Sequence, residues 1–236
     1  FEIYKYLRPS RNKFLIIEGA SWIFYSFTTI FILKIILSDC KIIYISHSVE
    51  SEIRKKYSNK FIFFLTKLLE KLVFRFSNYS TTVSIKEKNK ILKLYKKNTK
   101  IYPNAIDIEE KNIKKKISQF YIIYSGSYHY KPNKDAIDFL NQQIMPSITK
   151  RFPKLKLVIT GGGYNKNFPW LINKGIVSKK NLYNLIYNAK CMCVPLKFGS
   201  GTRIKIIEAL TLGTIVISTS KGIEGIKLKK KIHHLL

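Results

Sequence analysis

Val194-Pro195-Leu196-Lys197-Phe198-Gly199-Ser200-Gly201-Thr202-Arg203-Ile204-Lys205-Ile206-Ile207-Glu208-Ala209-Leu210-Thr211-Leu212-Gly213 is the stretch on which the fold turns. Residues 191–196 ahead of it form a short apolar run closed by Pro195, the pattern of a buried parallel strand. Residues 197–202 follow as a loop in which Gly199 and Gly201 permit backbone angles that other residues avoid. From Arg203 the apolar spacing turns helical, and Gly213 is a helix stop. A strand, a glycine loop and a helix in this order point free amide groups at an anion. Gly201, Lys205, Glu208 and Leu212 share one helical face. A helix running from the loop would separate Gly201 from Glu208 by roughly 10 Å. That length matches a nucleotide diphosphate, with phosphates at the amides, Arg203 and Lys205, and ribose hydroxyls at Glu208. The spacing equally allows an ordinary buried helix on which Lys205 and Glu208 form a surface pair.

These residues resemble the donor-binding signature of GT-B glycosyltransferases, close to glycosyltransferase family 4 (group 1), in which Pro-Leu-basic-Phe-Gly-Ser-Gly-Thr-Arg-Ile-Lys leads to a Glu-Ala pair. The resemblance implies that Glu208 contacts the donor ribose and that the loop (Gly199, Ser200, Gly201, Thr202) with Arg203 and Lys205 holds the diphosphate. One position departs: many relatives carry a Glu eight residues before the ribose Glu, and here that place is Ser200. The contact that Glu makes to the sugar is not carried over.

Composition narrows the alternatives. The chain has 236 residues, 46% hydrophobic and 14% aromatic, enough for one large or two small packed domains. Its formal net charge of +29 points to anionic partners, yet only six of the 43 basic residues are Arg. The charge therefore fits a general Lys bias as well as a binding face, and no RNA-binding aromatic signature or zinc-ligand spacing accompanies it. Nucleic acid is not expected as a partner. Cys40, Cys191 and Cys193 are too few for a disulfide framework, so a reducing cytoplasm is the expected location. Residues 23–37 are apolar but shorter than the ~20 residues of a membrane span, and Lys34 interrupts them. The chain opens on Phe1 rather than Met, which reads as a fragment or a processed product.

Residues 14–18 read as a strand, 22–37 as an apolar helix and 41–46 as a second strand, with His47 just beyond its end. His47-Ser48-Val49-Glu50 resembles the family's cleft-edge segment in the acceptor-side domain, which implies that His47 positions the donor sugar. Without the resemblance, His47 is a solvated loop residue. Residues 59–76 read as a long helix with Lys60, Lys67, Lys71 and Arg75 on its polar side. It is either a core helix with a basic rim or a helix lying on an anionic membrane. A brief strand over 81–84 and a basic helix over 86–95 follow.

Ile101-Tyr102-Pro103-Asn104-Ala105-Ile106-Asp107 resembles the family's Pro-Asn-Gly-Val-Asp linker, with Ala105 in place of Gly. The second domain opens with a strand over 120–124, and Gly126 and Ser127 stand at its end. Tyr130-Lys131-Pro132-Asn133-Lys134-Asp135-Ala136, leading into a helix over 138–149, resembles the family's segment at that place. The Arg that many relatives carry there is missing, and Lys131 matches their Lys only approximately. Arg203 and Lys205 are therefore expected to supply the charge. Gly161-Gly162-Gly163 follows a strand over 155–160. Gly175-Ile176-Val177 is similar to the strand that lines the family's base pocket. A helix over 181–189 and a last strand over 214–219 complete the pattern, and Lys221-Gly222-Ile223-Glu224-Gly225 resembles a further family segment.

The expectation is an α/β chain of two Rossmann-like domains of GT-B type, both incomplete. The first is the acceptor-side domain over 1–102, followed by a linker over 103–119 and a donor-binding domain over 120–236. The resemblance implies a glycosyltransferase that moves a sugar from a nucleotide diphosphate donor to a glycan or lipid-linked acceptor, retaining, metal-independent and engaged in cell-envelope polysaccharide synthesis. His47, Arg203 and Lys205 are the expected catalytic residues. Gly126, Ser127, Gly161, Gly199, Ser200, Gly201, Thr202 and Glu208 are the expected donor contacts. No metal and no cofactor are expected beyond the donor itself, and the location is the cytoplasm, at the inner face of an anionic membrane. A nucleotide-sugar binder without activity and a basic membrane-surface or nucleic-acid-binding protein are the alternatives.

Overall fold

A computed structural model describes residues 13–19, 22–37, 39–106, 120–199 and 201–226. Ser200 and residues 107–119 of the expected linker lie outside the described residues. The chain divides after Asn104 into two compact units, with residues 201 and 202 grouped with the first.

The first unit alternates strand and helix: β1 (Phe14–Gly19), α1 (Ile23–Ile36), β2 (Lys41–Ser46), α2 (Glu50–Tyr57), α3 (Lys60–Phe76), β3 (Tyr79–Thr82), α4 (Ile85–Tyr95) and β4 (Lys100–Ile101). Its sheet has the order β1-β2-β3-β4, all parallel. Parallel neighbours require crossover connections, and the apolar helices supply them. Asn59 caps α3 by accepting from the Ile62 amide at 2.8 Å, and Ser84 caps α4 by accepting from Glu87. Among the described residues no helix is long and apolar enough to cross a membrane.

Two elements differ from expectation. β3 occupies Tyr79–Thr82 rather than 81–84 because the Asn78 side chain accepts from the Ile42 amide at 2.9 Å and pins the register, while Ser84 is taken by the α4 cap. α2 was not expected at all. Its sequence is polar, and buried carboxylates from other helices hold its first turn. Glu70 accepts from the amides of Glu50 (2.6 Å) and Ser51 (3.1 Å), and also from the Tyr95 hydroxyl. Glu87 accepts from the Val49 amide, and Glu50 itself accepts from the Ile23 amide at 2.8 Å. Burial pushes the Glu70 carboxyl above the usual carboxylate range, and its hydrogen bonds to Ser51 and Tyr95 oppose that shift.

The second unit contains β5 (Tyr121–Ser125), α5 (Lys131–Phe139), a π-helical turn (Leu140–Ile144), α6 (Met145–Arg151), β6 (Lys156–Thr160), β7 (Leu171–Asn173), α7 (Lys179–Tyr187), β8 (Cys191–Val194), α8 (Ile204–Thr211) and β9 (Val216–Ser218). Its parallel sheet has the order β7-β6-β5-β8-β9. β8 is buried throughout and β5 and β6 nearly so, as expected for strands covered on both faces. The helix expected over 138–149 starts seven residues earlier and carries the π turn just before Pro146, whose missing N–H interrupts the ordinary ladder. Gly175-Ile176-Val177 is not a strand. β7 ends at Asn173, whose side chain accepts from the Gly175 amide in a tight turn, and Ile176 is 86% exposed.

Glu70→Ala removes at once the acceptor of the Glu50 and Ser51 amides and of the Tyr95 hydroxyl. It is expected to lower stability by about 3 kcal/mol, read as the shift of the urea midpoint.

Candidate functional site

The strand order of the second unit locates the site before any side chain is considered. Chain order runs from β5 outward to β6 and β7, then returns to β8 and β9 on the other side of β5. Connections therefore leave the carboxyl ends of β5 and β8 in opposite directions, which opens a crevice there, the usual ligand position in open α/β sheets. Gly126 follows β5, Gly161 follows β6, and Gly199 lies in the loop after β8.

Gly126 and Gly161 are glycines for steric reasons. A Cβ on Gly161, at φ +113°, would lie 2.5 Å from the Gly126 carbonyl carbon and oxygen. A Cβ on Gly126, at φ +151°, would lie 2.6 Å from Asn133 Nδ2 and 2.7 Å from Lys205 Nζ. The Lys205 ammonium is thus packed directly against the backbone at the end of β5.

Lys205 reaches that place from α8. Its Nζ donates to Asn133 Oδ1 at 2.9 Å and to Tyr124 Oη at 3.2 Å, and it sits 4.2 Å from the centre of the Tyr124 ring. The Tyr124 hydroxyl donates to Asn133 Oδ1 at 2.8 Å, and Asn133 Nδ2 donates to the Ser127 carbonyl at 3.0 Å. Burial, reinforced by the neighbouring Arg203 charge and opposed by Glu208, pushes Lys205 down to about 7. It forms no surface pair with Glu208. An ammonium has three donors, and among the described residues two are engaged, so one can meet a ligand oxygen.

Arg203 is the residue before α8, and its guanidinium passes 3.0 Å from where a Cβ on Gly199 would stand. α8 begins at Ile204, after Gly201, so the 10 Å helical ruler from Gly201 to Glu208 does not hold. Lys205 to Glu208 is one turn, about 4.5 Å of rise. Glu208 is half-buried beside the Tyr183 hydroxyl. Burial raises its carboxyl above the usual range, against the charges of Lys179 and Lys205 and the Tyr183 hydroxyl. Ser127 is exposed at the rim, its Oγ accepting from the His129 amide at 3.4 Å.

In the second unit the structure thus gathers Gly126, Ser127, Gly161, Gly199, Arg203, Lys205 and Glu208 on α8 and on the loops at the carboxyl ends of β5, β6 and β8. Gly201 and Thr202 group with the first unit, and Ser200 lies outside the described residues. His47, in the first unit, stands just past β2 with Nε2 2.8 Å from Glu18 Oε1. Tyr124 and Asn133 are functional neighbours to which the sequence assigned no role. Tyr124 is indistinguishable from a core residue of an apolar strand, and Asn133 stood in a recognised segment only as part of its pattern.

Residues 119–232 match the family described as Glycosyl transferases group 1. No curated protein matches the sequence. Among solved structures, TarM is 15% identical with a TM-score of 0.71, covering 94% of this chain and 43% of its own. Sucrose-phosphate synthase from Thermosynechococcus elongatus is 13% identical with a TM-score of 0.69, covering 93% of this chain and 59% of its own. Anabaena HepE in complex with UDP-glucose is 13% identical with a TM-score of 0.64, covering 88% of this chain and 60% of its own. These likenesses show the fold, two Rossmann-like sheets of GT-B type, and this chain spans about half the length of the proteins it matches.

The folded chain releases the Lys205 proton near pH 7, whereas the unfolded chain keeps it to the ordinary lysine value of 10.5. The unfolded state therefore holds more protons between those values, and stability rises with pH across that window. Subtracting the pH–stability curve of Lys205→Met from that of the wild type should leave this rise. A flat difference would place the ammonium in water.

Proposed function

We propose, from the match of residues 119–232 to the glycosyl transferases group 1 family, that the whole protein moves a sugar from a nucleotide diphosphate donor to a glycan or lipid-linked acceptor. The carrying observation is the Lys205 ammonium set against Gly126 at the switch point of the sheet, with a donor that can meet a ligand oxygen. A diphosphate placed there meets that donor and the Arg203 guanidinium, and Glu208 lies within one turn for the ribose hydroxyls. Loss of the diphosphate breaks the bond between the anomeric carbon and the phosphate oxygen. An acceptor hydroxyl forms the new carbon–oxygen bond and gives up its proton. The charge that develops on the leaving oxygen is met by Lys205 and Arg203, so the step needs neither a metal nor a further cofactor. Retention of configuration and the role of His47 toward the sugar belong to the same proposal and rest on the family resemblance. Ser200, at the place where many relatives have a Glu, favours one alternative: a nucleotide-sugar binder without transfer.

HepE was solved with UDP-glucose, which makes uridine nucleotides the first donors to try in a thermal-shift panel of nucleoside diphosphates and their sugars. Selective stabilisation is expected, and Glu208→Ala should weaken the selected nucleotide about tenfold. Binding an anion favours the protonated Lys205, so affinity should be flat below pH 7 and fall about tenfold per unit above it, with a proton taken up on binding. No stabilisation by any member of the panel would end the donor reading; binding without transfer to any acceptor would favour the alternative.

We also propose that the protein works at the inner face of an anionic membrane, where a lipid-linked acceptor in cell-envelope synthesis is presented. Support comes from α1 and α3, which pack against each other and expose large apolar side chains, among them Phe24, Phe31, Ile35, Phe61, Phe64 and Leu68. Lys60, Lys71 and Arg75 lie beside Phe64 and Leu68 on the α3 wheel, and the only acid in either helix, Glu70, is buried. Exposed apolar side chains flanked by cations with no counter-charge suit an anionic bilayer. Co-sedimentation with vesicles containing phosphatidylglycerol, lost when Lys60, Lys71 and Arg75 are all changed to Gln, is the expected result. Equal binding to neutral vesicles by both proteins would refute the electrostatic part.

A further inference from the structure

Asn133 stands nearly buried in the first turn of α5, between the loop after β5 and the end of the Lys205 side chain. The orientation of its carboxamide is fixed by chemistry. The Ser127 carbonyl only accepts, so the nitrogen must face it, and the oxygen is left facing Lys205 Nζ. Tyr124, fully buried, adds a second donor to the same oxygen. A carboxamide offers an acceptor on one side and a donor on the other without carrying a charge.

Resting on the donor reading above, we infer that Asn133 is the positioning residue of the diphosphate cation: its oxygen holds the Lys205 ammonium against Gly126 while its nitrogen fixes the Ser127 carbonyl, so that cation and loop are set as one unit before a donor arrives. Pre-set groups cost no reorganisation when the ligand binds, which is where such a residue acts. Asn133 needs no contact with the donor for this.

Two variants separate these roles. Asn133→Asp keeps the shape, puts a charge beside the ammonium and loses the donor to Ser127. Asn133→Ala removes both partners. The charged and titratable groups around Lys205, namely Arg203, Glu208 and Tyr124, are the same in both variants. In the free protein, a titration of Lys205 Nζ followed by nitrogen-15 NMR should move upward in Asn133→Asp and not upward in Asn133→Ala. If Asn133 only packs, both variants loosen the site and let water in, and Lys205 moves upward in both. Calorimetric titration with UDP and with uridine should show Asn133→Ala losing about tenfold for UDP, the size expected for one charge-assisted hydrogen bond, and much less for uridine. Melting curves check that each variant is folded, and the isosteric Asp variant keeps the test open if the Ala variant is not. If the wild type binds no nucleoside diphosphate, the donor reading falls and this inference falls with it. If the wild type binds UDP and Asn133→Ala binds it equally well, the inference alone is overturned.

Discussion

Taking an ammonium out of water is unfavourable unless its donors are met, and the second unit is arranged around one such group. Four segments converge on Lys205 Nζ. β5 supplies Tyr124, the loop after it supplies the bare Cα of Gly126, α5 supplies Asn133, and α8 supplies the lysine itself. Gly161 belongs to the same arrangement, because only a residue without a Cβ lets the loop after β6 approach the Gly126 carbonyl. Each partner constrains the next: Tyr124 and Lys205 share the Asn133 oxygen, and Asn133 in turn holds the Ser127 carbonyl. A small change at any of them is felt at the ammonium, which explains why a sheet of otherwise ordinary strands ends in so polar a knot.

The first unit solves a related problem with the opposite charge. The segment after β2 turns sharply into α2, leaving amides at 49–51 without helical partners. Glu70 and Glu87, from α3 and α4, accept from them. These carboxylates stand where a side-chain cap would be, but they come from distant sequence, and the Tyr95 hydroxyl and Ser51 close the network around Glu70. His47 precedes this segment and is itself held at Glu18.

Much of this was legible in the residues. The buried strands announced themselves as short apolar runs, and Gly126, Gly161 and Gly199 could be read as loop glycines at strand ends. What was not legible depends on contacts far apart in sequence. Lys205 meets Tyr124 and Asn133 across 81 and 72 residues, so its helical spacing from Glu208 said nothing about where its end would go. α2 was missed because its polar sequence has no apolar face of its own and owes its first turn to Glu70. β3 was placed two residues late because local propensity does not see Asn78 bonding to β2. Ile176 misled differently: the likeness of Gly175-Ile176-Val177 to a family strand suggested one here, but Gly175 at φ +59° turns the chain and leaves the Ile176 side chain in solvent.

The net charge of +29 and the site make different physical demands. Lysines spread over a surface attract any polyanion and are screened by salt within about 8 Å at physiological ionic strength. Lys205 sits where screening is weak and where its own proton is lost near neutral pH unless an anion is present. Its charge is conditional, and it becomes a full cation when a negatively charged group occupies the crevice. A group of that kind discriminates by fit. An anion that reaches Gly126 raises the proton affinity of the amine that binds it. On the donor reading proposed above, preference for a small diphosphate would come from the one cation packed against Gly126 rather than from the many exposed ones.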